Sequence, residues 1–124
     1  TLTSKRRSFR KSLMQGLERI RGEINMFWVW SYNFMGTERE LDEWLRKTLM
    51  PNLRDVKGTV SVATYKRMFG LGQRPVYQTR IEIQDFTFFN EWGNLTKTKK
   101  WRKVFETFFT MVKDFNTTIM LSLE

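Results

Sequence analysis

The sequence predicts an α+β domain with a split βαβ arrangement: a four-stranded antiparallel sheet with two helices packed on one face. Three observations predict it. Met26 to Phe34 alternates in the manner of a strand. Residues 37–53 and 101–115 carry apolar side chains at helical spacing. Two strand-like segments follow the first helix and one follows the second, which gives the order strand, helix, strand, strand, helix, strand.

The first strand, residues 25–34, is expected to lie in the centre of the sheet because both of its faces are apolar near its start. One face carries Met26, Trp28, Trp30, Tyr32 and Phe34, and the other carries Phe27, Val29, Ser31 and Asn33. We predict that Trp28, Trp30 and Tyr32 face away from the helices. The reversed assignment is the alternative.

The first helix of the domain is expected to begin after Thr37, which forms a capping-box pattern with Glu40. Because proline has no backbone N–H, Pro51 predicts a kink or a short second segment. Lys57-Gly58 then makes the turn into the second strand. The buried stripe of this helix comprises Leu41, Trp44, Leu45, Leu49 and Leu53.

The second half of the domain begins with two strands joined by a glycine-containing loop, Met68 to Pro75. Asp85 is expected to cap a short helical piece with Phe86, Phe89 and Trp92. The last helix, after a basic loop at 93–100, has the strongest helical pattern, with Trp101, Val104, Phe105, Phe108, Met111, Val112 and Phe115. In the final strand, Ile119, Leu121 and Leu123 alternate with Thr118, Met120 and Ser122.

Residues 1–24 lie outside this pattern and are predicted to form a basic amphipathic helix, followed by a single domain over residues 25–124. The apolar face of this helix can pack on its own domain, which is the commoner arrangement, or lie on a membrane or an acidic partner. Its members are Phe9, Leu13, Leu17 and Ile20.

The 124 residues include neither Cys nor His. Disulfides, thiol nucleophiles, Cys-zinc and Fe–S sites and histidine bases are therefore excluded, and we predict no metal and no cofactor. No apolar run is long enough to cross a membrane. A cytoplasmic location is favoured, and a chain that starts with Thr can also have lost a targeting peptide.

The formal net charge of +9 is concentrated in two segments. Residues 1–25 and residues 93–103 each have a net charge of +5, and the remainder has −1. Such local concentrations of positive charge are typical of surfaces that bind an anionic partner. They also occur at solvent-exposed helix starts that have no partner. The candidate anion-binding residues are Lys5, Arg6, Arg7, Arg10, Lys11, Lys97, Lys99, Lys100, Arg102 and Lys103.

A series of short motifs runs from Trp44 to Trp92: Trp44-Leu45, Met50-Pro51-Asn52-Leu53, Val56-Lys57-Gly58, Tyr65-Lys66-Arg67, and Pro75-Val76-Tyr77 leading into Ile81-Glu82. In these motifs the chain resembles the dimeric α/β-barrel superfamily, which has a ferredoxin-like fold, in its stress-responsive and EthD-like branches. It departs from them at two positions. The turn at 57–58 lacks the usual Pro, and Met50 stands where many members place a His.

The resemblance implies a homodimer in which two four-stranded sheets face each other and enclose a barrel. It also implies diverse activities: cofactor-independent oxygenation, polyketide cyclisation, isomerisation and haem breakdown. The missing His departs from the haem-degrading and His-dependent cyclase patterns. Fold similarity does not choose among the others, so it stays open whether this chain is an enzyme.

A ligand cavity is predicted on the sheet face opposite the helices, with aromatic walls and a few converging polar groups. Arg80 could hold a carboxylate or enolate oxygen, and Glu82 or Tyr32 could act as acid or base. The predicted ligand-binding residues are Trp28, Trp30, Tyr65, Arg67, Gln78 and Met120. The structural alternatives are that Arg80 pairs with Glu82 across a dimer interface and that the Trp-Trp-Tyr face packs there.

Two functions follow from these features. The first is a homodimeric barrel protein that binds a small hydrophobic or aromatic ligand, with a cofactor-free oxygenase, isomerase or cyclase as its catalytic form. The alternative is a non-catalytic module that docks nucleic acid, an anionic membrane or a protein assembly through residues 5–21 and 97–103. An uncovered apolar sheet face predicts either dimerisation or a cover formed by the N-terminal helix.

Overall fold

The computed structural model describes residues 25–68 and 76–123, which form one four-stranded antiparallel sheet in the order β2-β3-β1-β4 with helices on one face. The strands are β1 (Met26–Phe34), β2 (Thr59–Lys66), β3 (Tyr77–Ile83) and β4 (Val112–Leu121). The helices are α1 (Glu38–Trp44), α2 (Met50–Arg54), α3 (Phe88–Leu95) and α4 (Lys99–Met111). The predicted α+β class and element order are confirmed. The predicted N-terminal helix and most of the glycine-containing loop lie outside the described residues.

The strand β1 lies between β3 and β4, as its two apolar faces predict. Trp30 is directly opposite Thr79 on β3 and Thr117 on β4. Residues that are directly opposite in a sheet point to the same face. This register therefore determines which side chains of the four strands meet the helices.

The aromatic face of β1 packs against the helices, so the prediction that Trp28, Trp30 and Tyr32 face away from them is wrong. The ring of Trp28 lies 5.9 Å from that of Phe88 on α3. The rings of Trp30 and Tyr32 lie 5.9 and 5.1 Å from that of Phe108 on α4. Trp30 is only 1% exposed. The reversed assignment is the one that occurs.

The physical reason for this orientation lies on β3. Thr79 and Ile81 are buried on the helix side, while Gln78, Arg80 and Glu82 alternate with them and point to the opposite face. Turning β3 over would place Arg80 and Glu82 under apolar helices and away from water, which is costly. The register then carries Trp28 and Trp30 to the same side as Ile81 and Thr79.

A π-helical turn, Leu45–Leu49, joins α1 to α2, and α2 is the short second segment that Pro51 predicts as the alternative to a kink. Pro51 cannot donate a helical hydrogen bond, and wider i→i+5 bonding just before it accommodates that loss. The amide of Asn52 donates to the Thr48 carbonyl oxygen at 2.8 Å. The wider turn also keeps a strict four-residue repeat on the buried side, where Leu41, Leu45, Leu49 and Leu53 all lie.

Two of the predicted helix caps do not form as the sequence predicts. Thr37 occupies the N-cap of α1, but its side chain makes no capping hydrogen bond, so the capping box with Glu40 does not form. Asp85 lies three residues before α3, where its carboxylate accepts a hydrogen bond from the backbone N–H of Thr87 at 2.8 Å. Asp85 thus orders the turn that leads into α3 rather than capping the helix itself.

The helix α4 ends at Met111 and β4 begins at the next residue, so the prediction that Val112 and Phe115 lie on the last helix is wrong. Asp114 and Phe115 together lie opposite the single residue Tyr32, which makes a β-bulge. Asp114 adopts a φ of 56°, a conformation that Asp tolerates better than most residues. The bulge turns Phe115 to the helix side of the sheet, where its ring lies 5.6 Å from that of Trp30. Phe115 therefore lies in the core at a sequence spacing that resembles the apolar spacing of a helix.

Candidate functional site

The sheet face opposite the helices is the first candidate site, and we call it the open face. It is mixed in character rather than aromatic, because Tyr65 and Met120 are its largest exposed apolar side chains, at 53% and 51% exposure. By register it comprises Ser61, Ala63 and Tyr65 of β2, Gln78, Arg80 and Glu82 of β3, Phe27, Val29, Ser31 and Asn33 of β1, and Asn116, Thr118 and Met120 of β4.

Arg80 is held in place by two neighbours on the open face. Its guanidinium carbon lies 4.7 Å from the centre of the Tyr65 ring, in cation–π geometry. Its Nε and one terminal nitrogen donate to the Gln78 side-chain oxygen at 3.4 and 3.2 Å. Within the described ranges, no carboxylate pairs with Arg80. Its charge is therefore oriented and still available to an anion.

A shallow groove of about 230 Å³ opens beside this arginine. Strand β2 and the start of β3 form it, and the Arg67 N–H donates to the Val76 carbonyl oxygen at 2.9 Å where the two strands separate. The groove is lined by Tyr65, Lys66, Arg67, Val76 and Gln78. An aromatic ring, an aliphatic side chain and a cluster of donors thus surround one small volume.

Glu82 lies two positions from Arg80 on the same face of β3, roughly 6.6–6.8 Å along the strand. Its carboxylate accepts a hydrogen bond from the Ser61 hydroxyl at 2.9 Å. No Lys or Arg of the described segments forms an ion pair with it. Arg80 and Glu82 are thus two unpaired opposite charges in one row.

The structure brings together only part of the predicted site. Tyr65, Arg67 and Gln78 line the groove next to Arg80, whereas Met120 lies on the far edge strand. Trp28 and Trp30 belong to the core on the other side of the sheet, so they do not line this face. Their predicted ligand-binding role on the open face is therefore wrong.

Tyr32 is also on the helix side, where its hydroxyl shares a hydrogen bond of 2.7 Å with the Thr79 hydroxyl. Burial raises the pKa of Tyr32 to about 12. The Thr79 hydroxyl also bonds that of Thr64 at 2.9 Å, and Thr64 donates to the Met50 sulfur at 3.2 Å. Tyr32 thus stays protonated within an internal chain of hydrogen bonds and does not serve as an acid or base on the open face.

A second polar cluster, which the sequence analysis missed, lies between α1 and the edge of the sheet. Lys66 donates to the carboxylates of Glu38 and Asp42, at 2.7 Å each. The Tyr77 hydroxyl donates to the other Asp42 oxygen, also at 2.7 Å. Strict alternation places Lys66 on the buried side with Val62 and Thr64, and that position was the available signal. We call Glu38, Asp42, Lys66 and Tyr77 the edge cluster.

The charges of the edge cluster hold one another in place. Partial burial opposes ionisation of Asp42, but the hydrogen bonds from Lys66 and Tyr77 outweigh it, so the Asp42 pKa lies below its usual value. The hydrogen bonds to Asp42 and Glu38 raise the pKa of Lys66. Burial, followed by the bond to Asp42, raises that of Tyr77 well above its ordinary value. All three groups therefore keep their usual charge near neutral pH.

A cavity of about 190 Å³ adjoins the edge cluster. Its walls combine the cluster with helix residues: Asp42, Leu45, Arg46, Met50, Thr64, Lys66 and Tyr77. Because each polar group of the cluster already has a partner inside the protein, this arrangement fastens α1 to β2 and β3. In the parts of the chain that the structure covers, no group of three or more Asp and Glu side chains could hold a metal ion.

The basic segment near α4 is exposed, as its charge pattern predicts. Lys97 precedes the helix, and the first turn of α4 contains no acidic residue. The exposed cations of this segment are Lys97, Lys99, Lys100, Arg102 and Lys103. The other predicted anion-binding residues, Lys5, Arg6, Arg7, Arg10 and Lys11, lie outside the described residues. None of the helices within residues 25–68 and 76–123 is long and apolar enough to span a membrane.

Replacing Asp42 with Asn should lower the free energy of unfolding at pH 7 by about 1–3 kcal/mol, because Lys66 and Tyr77 lose a charged acceptor. A carboxyl whose pKa is lowered by folding stabilises the protein above its unfolded pKa and loses that contribution in acid. The difference between wild type and variant should therefore shrink as the pH falls below 3.8, the ordinary value for Asp. Urea unfolding at several pH values measures it.

The matched control for this experiment is Glu43→Gln on the same helix, since the Glu43 side chain is about half exposed and its ion pair with Arg39 is long, at 3.7 Å. It should change stability little at any pH. An Asp42→Asn variant with the same stability as wild type at pH 7 would show that the edge cluster does not fasten α1 to the sheet.

Comparisons with known proteins give a fold but no family. No protein-family model matches the chain, and no curated protein matches it. A DABB family protein with a ferredoxin-like fold from Mesorhizobium loti has 10% identity and a TM-score of 0.60, over 81% of this chain and 99% of that one. An ethyl tert-butyl ether D (EthD) family protein from Bacillus halodurans has 12% identity and a TM-score of 0.56, over 81% and 98%.

A hydroxynitrile lyase from Passiflora edulis is similar at 11% identity and a TM-score of 0.57, over 82% of this chain and 95% of that one. A dimeric protein of unknown function and ferredoxin-like fold from Bacteroides fragilis is similar at 6% identity and a TM-score of 0.54, over 77% and 94%. At such identities the likeness concerns the fold alone. It confirms that this chain has the predicted ferredoxin-like α+β fold.

Proposed function

We propose that this protein is a homodimer whose two open faces pack against each other, and that it binds between them a small molecule with an aromatic or apolar body and an acidic group. The observation that carries the proposal is the environment of Arg80. Its guanidinium lies over Tyr65 at the edge of a groove, with no carboxylate partner among the described residues. Arginine in a fixed orientation is well suited to a planar carboxylate.

The dimer is supported by the absence of a described helix over the open face. The described helices occupy the opposite side of the sheet, and Tyr65 and Met120 remain about half exposed here, whereas Val29 at the centre of the face is only 3% exposed. A two-fold axis through the face would bring Arg80 of one protomer near the partner's Glu82, and the reverse pair would form by symmetry, with a remaining guanidinium N–H of each Arg80 still available to a ligand carboxylate. Two opposite charges in one row of β3 make the face complementary to itself. A dimeric protein is among the solved structures of similar fold.

The ligand class follows from the groove. Its volume of about 230 Å³ is small compared with the 300–1,000 Å³ of typical ligand pockets, which favours a single ring over an extended molecule. Tyr65 and Val76 offer apolar contact, and Arg67, Gln78 and Arg80 offer donors. A small aromatic carboxylic acid satisfies both the apolar wall and the charge.

The chemistry available on the open face is narrow. Arg80 could stabilise an enolate or a carboxylate, and Glu82 could accept a proton next to it. Tyr32 is removed from this role by its burial and its raised pKa. Binding is therefore the function that we propose, and any catalysis at this face would be a proton transfer of the isomerase type that needs one cation and one carboxylate.

Charge-reversal variants test the dimer. The full chain should be a dimer by light scattering, and both Arg80→Glu and Glu82→Arg should shift it toward monomer by placing like charges opposite each other. The variant with both changes should regain the dimer because the reciprocal pairs are restored. A monomeric wild-type chain, or a double variant no better than the single ones, would overturn the proposed pairing.

Ligand binding is tested with benzoate and 2-naphthoate against their neutral amides, by calorimetry on the full chain. We expect one carboxylate per subunit and an affinity that falls roughly 10- to 100-fold in Arg80→Gln, with little change for the amides. Arg39→Gln is the matched control, because Arg39 is exposed on α1. Equal carboxylate affinity in wild type and Arg80→Gln would exclude Arg80 as the binding group.

A second candidate function is the docking of a polyanion at the start of α4. Four cations, Lys99, Lys100, Arg102 and Lys103, lie in the first turns of a helix whose N-terminal end is already the positive end of its dipole. Their mutual repulsion would be relieved by phosphate groups. This surface lies apart from the groove, so the two functions can be tested separately.

Filter binding to duplex DNA, structured RNA and anionic vesicles at two salt concentrations tests this second function. A polyanion site predicts binding that weakens steeply with salt. The Lys99→Gln/Lys100→Gln double variant should weaken it further, whereas the Lys47→Gln/Arg54→Gln double variant removes two exposed cations elsewhere and should not. Binding that is absent at low salt, or equally affected by both double variants, would contradict a site at α4.

A further inference from the structure

A row of exposed apolar side chains runs along the helix side of β4, and we call it the β4 strip. It comprises Phe109 of α4 and Phe115, Ile119 and Leu121 of β4. Phe109, Ile119 and Leu121 are 48%, 46% and 41% exposed, and Phe115 is half buried against Phe109, with ring centres 5.3 Å apart. Helix α4 covers β1, where its Phe108 ring meets those of Trp30 and Tyr32, and leaves this edge of the sheet bare.

The β4 strip lies on the opposite side of the sheet from the open face. Ile119 is directly opposite Trp28, and Leu121 is directly opposite Met26, both of which pack in the core. Pairing of two open faces would therefore leave the strip uncovered. An exposed apolar edge strand invites pairing with other chains, and proteins usually shield such an edge.

We propose that residues 4–22 of the same chain form a helix that lies along the β4 strip, with Phe9, Leu13, Leu17 and Ile20 against it. The first support is where the preceding chain must join. The Ser122 N–H donates to the Asn25 carbonyl oxygen at 2.9 Å, so the chain enters β1 next to the C-terminal end of β4. Asn25 therefore lies beside the end of β4, and a segment that precedes it need not cross the sheet to reach Leu121.

The second support is length. An α-helix rises 1.5 Å per residue, so Phe9 to Ile20 would span about 17 Å. Phe115 to Leu121 spans about 20 Å at 3.3 Å per strand residue. A helix that runs back along β4 and then turns into β1 would place Ile20 and Leu17 over Leu121 and Ile119. Its first apolar residues would reach Phe115 and Phe109.

The third support is charge. In that direction, the cations at positions 5–11 would lie toward the end of α4, whose last turn carries no basic residue and is the negative end of the helix dipole. The opposite direction would bring them to the lysine-rich start of α4. A second copy of the chain, which could offer its own β4 strip across a two-fold axis, is the rival occupant that the cross-linking below distinguishes.

Cross-linking tests the proposal in the full chain, which contains no Cys of its own. Leu17→Cys combined with Ile119→Cys is treated with a short bis-maleimide and analysed on a denaturing gel and by intact mass. We expect an efficient link within one chain. Gln15→Cys combined with Ile119→Cys is the control, since position 15 lies on the far side of the predicted helix, and it should link at least five-fold less.

Each other outcome overturns the proposal. Covalent dimers would identify a second copy as the occupant, and equal linking from positions 15 and 17 would show that the apolar stripe does not seat the helix. Absence of any link would show that the strip is bare. A second pair, Leu13→Cys with Phe109→Cys, repeats the test at the other end, so that a poorly folded first variant does not decide it.

A charge-matched pair of variants gives an independent measurement. Leu13→Glu/Leu17→Glu should raise the fluorescence of an apolar dye, anilinonaphthalene sulfonate, several-fold by exposing the strip. Ser8→Glu/Gln15→Glu adds the same charge to the opposite side of the helix and should not. Equal dye binding by both variants would contradict the proposed cover.

Discussion

The packing of Trp28 and Trp30 against α3 and α4 is the interaction on which the rest of the structure depends. A large aromatic side chain removes about 150–250 Å² from water, which at about 25 cal/mol per Å² corresponds to roughly 4–6 kcal/mol for the fully buried Trp30 and to less for Trp28, which is partly buried. The reverse orientation of the sheet would forgo this contribution and would also bury Arg80 and Glu82. Both effects favour the same orientation, with the aromatic face of β1 beneath the helices and the charged face of β3 outward.

Because of this orientation, the two faces of the sheet have different roles. On the helix side, Lys66 with Asp42 and Tyr32 with Thr79 have partners close by, whereas the buried indole N–H of Trp30 has none among the described residues. The paired groups stabilise the domain and leave little capacity for a ligand. On the open face, Arg80 rests on Tyr65 without a carboxylate, and Glu82 has only Ser61 as its partner. Charges that are oriented but unneutralised are the ones that can recognise another molecule, either a ligand or a second protomer.

The sequence was sufficient for the element order, the central position of β1 and the four-residue leucine repeat of the first helical region, because periodicity reports which side chains share a face. It could not decide which face of β1 is inward, since both are apolar near Trp28 and the choice depends on the charges of β3. The end of α4 was missed for a related reason: a bulge at Asp114 returns Phe115 to the core at a spacing that mimics a helix. The position of Arg80 on the sheet face away from the helices could be predicted, whereas its contacts with Tyr65 and Gln78 depend on strand register.

The most direct test of the orientation is a nuclear Overhauser measurement on protein in which the Trp and Phe rings are selectively labelled. The observed orientation of β1 predicts contacts from the Trp30 indole to the rings of Phe105, Phe108 and Phe115, whose centres lie within 6.4 Å of it. It also predicts contacts from the Trp28 indole to the rings of Phe88 and Phe89. Contacts from Trp28 or Trp30 to the side chains of Gln78 or Arg80, in place of these, would contradict it.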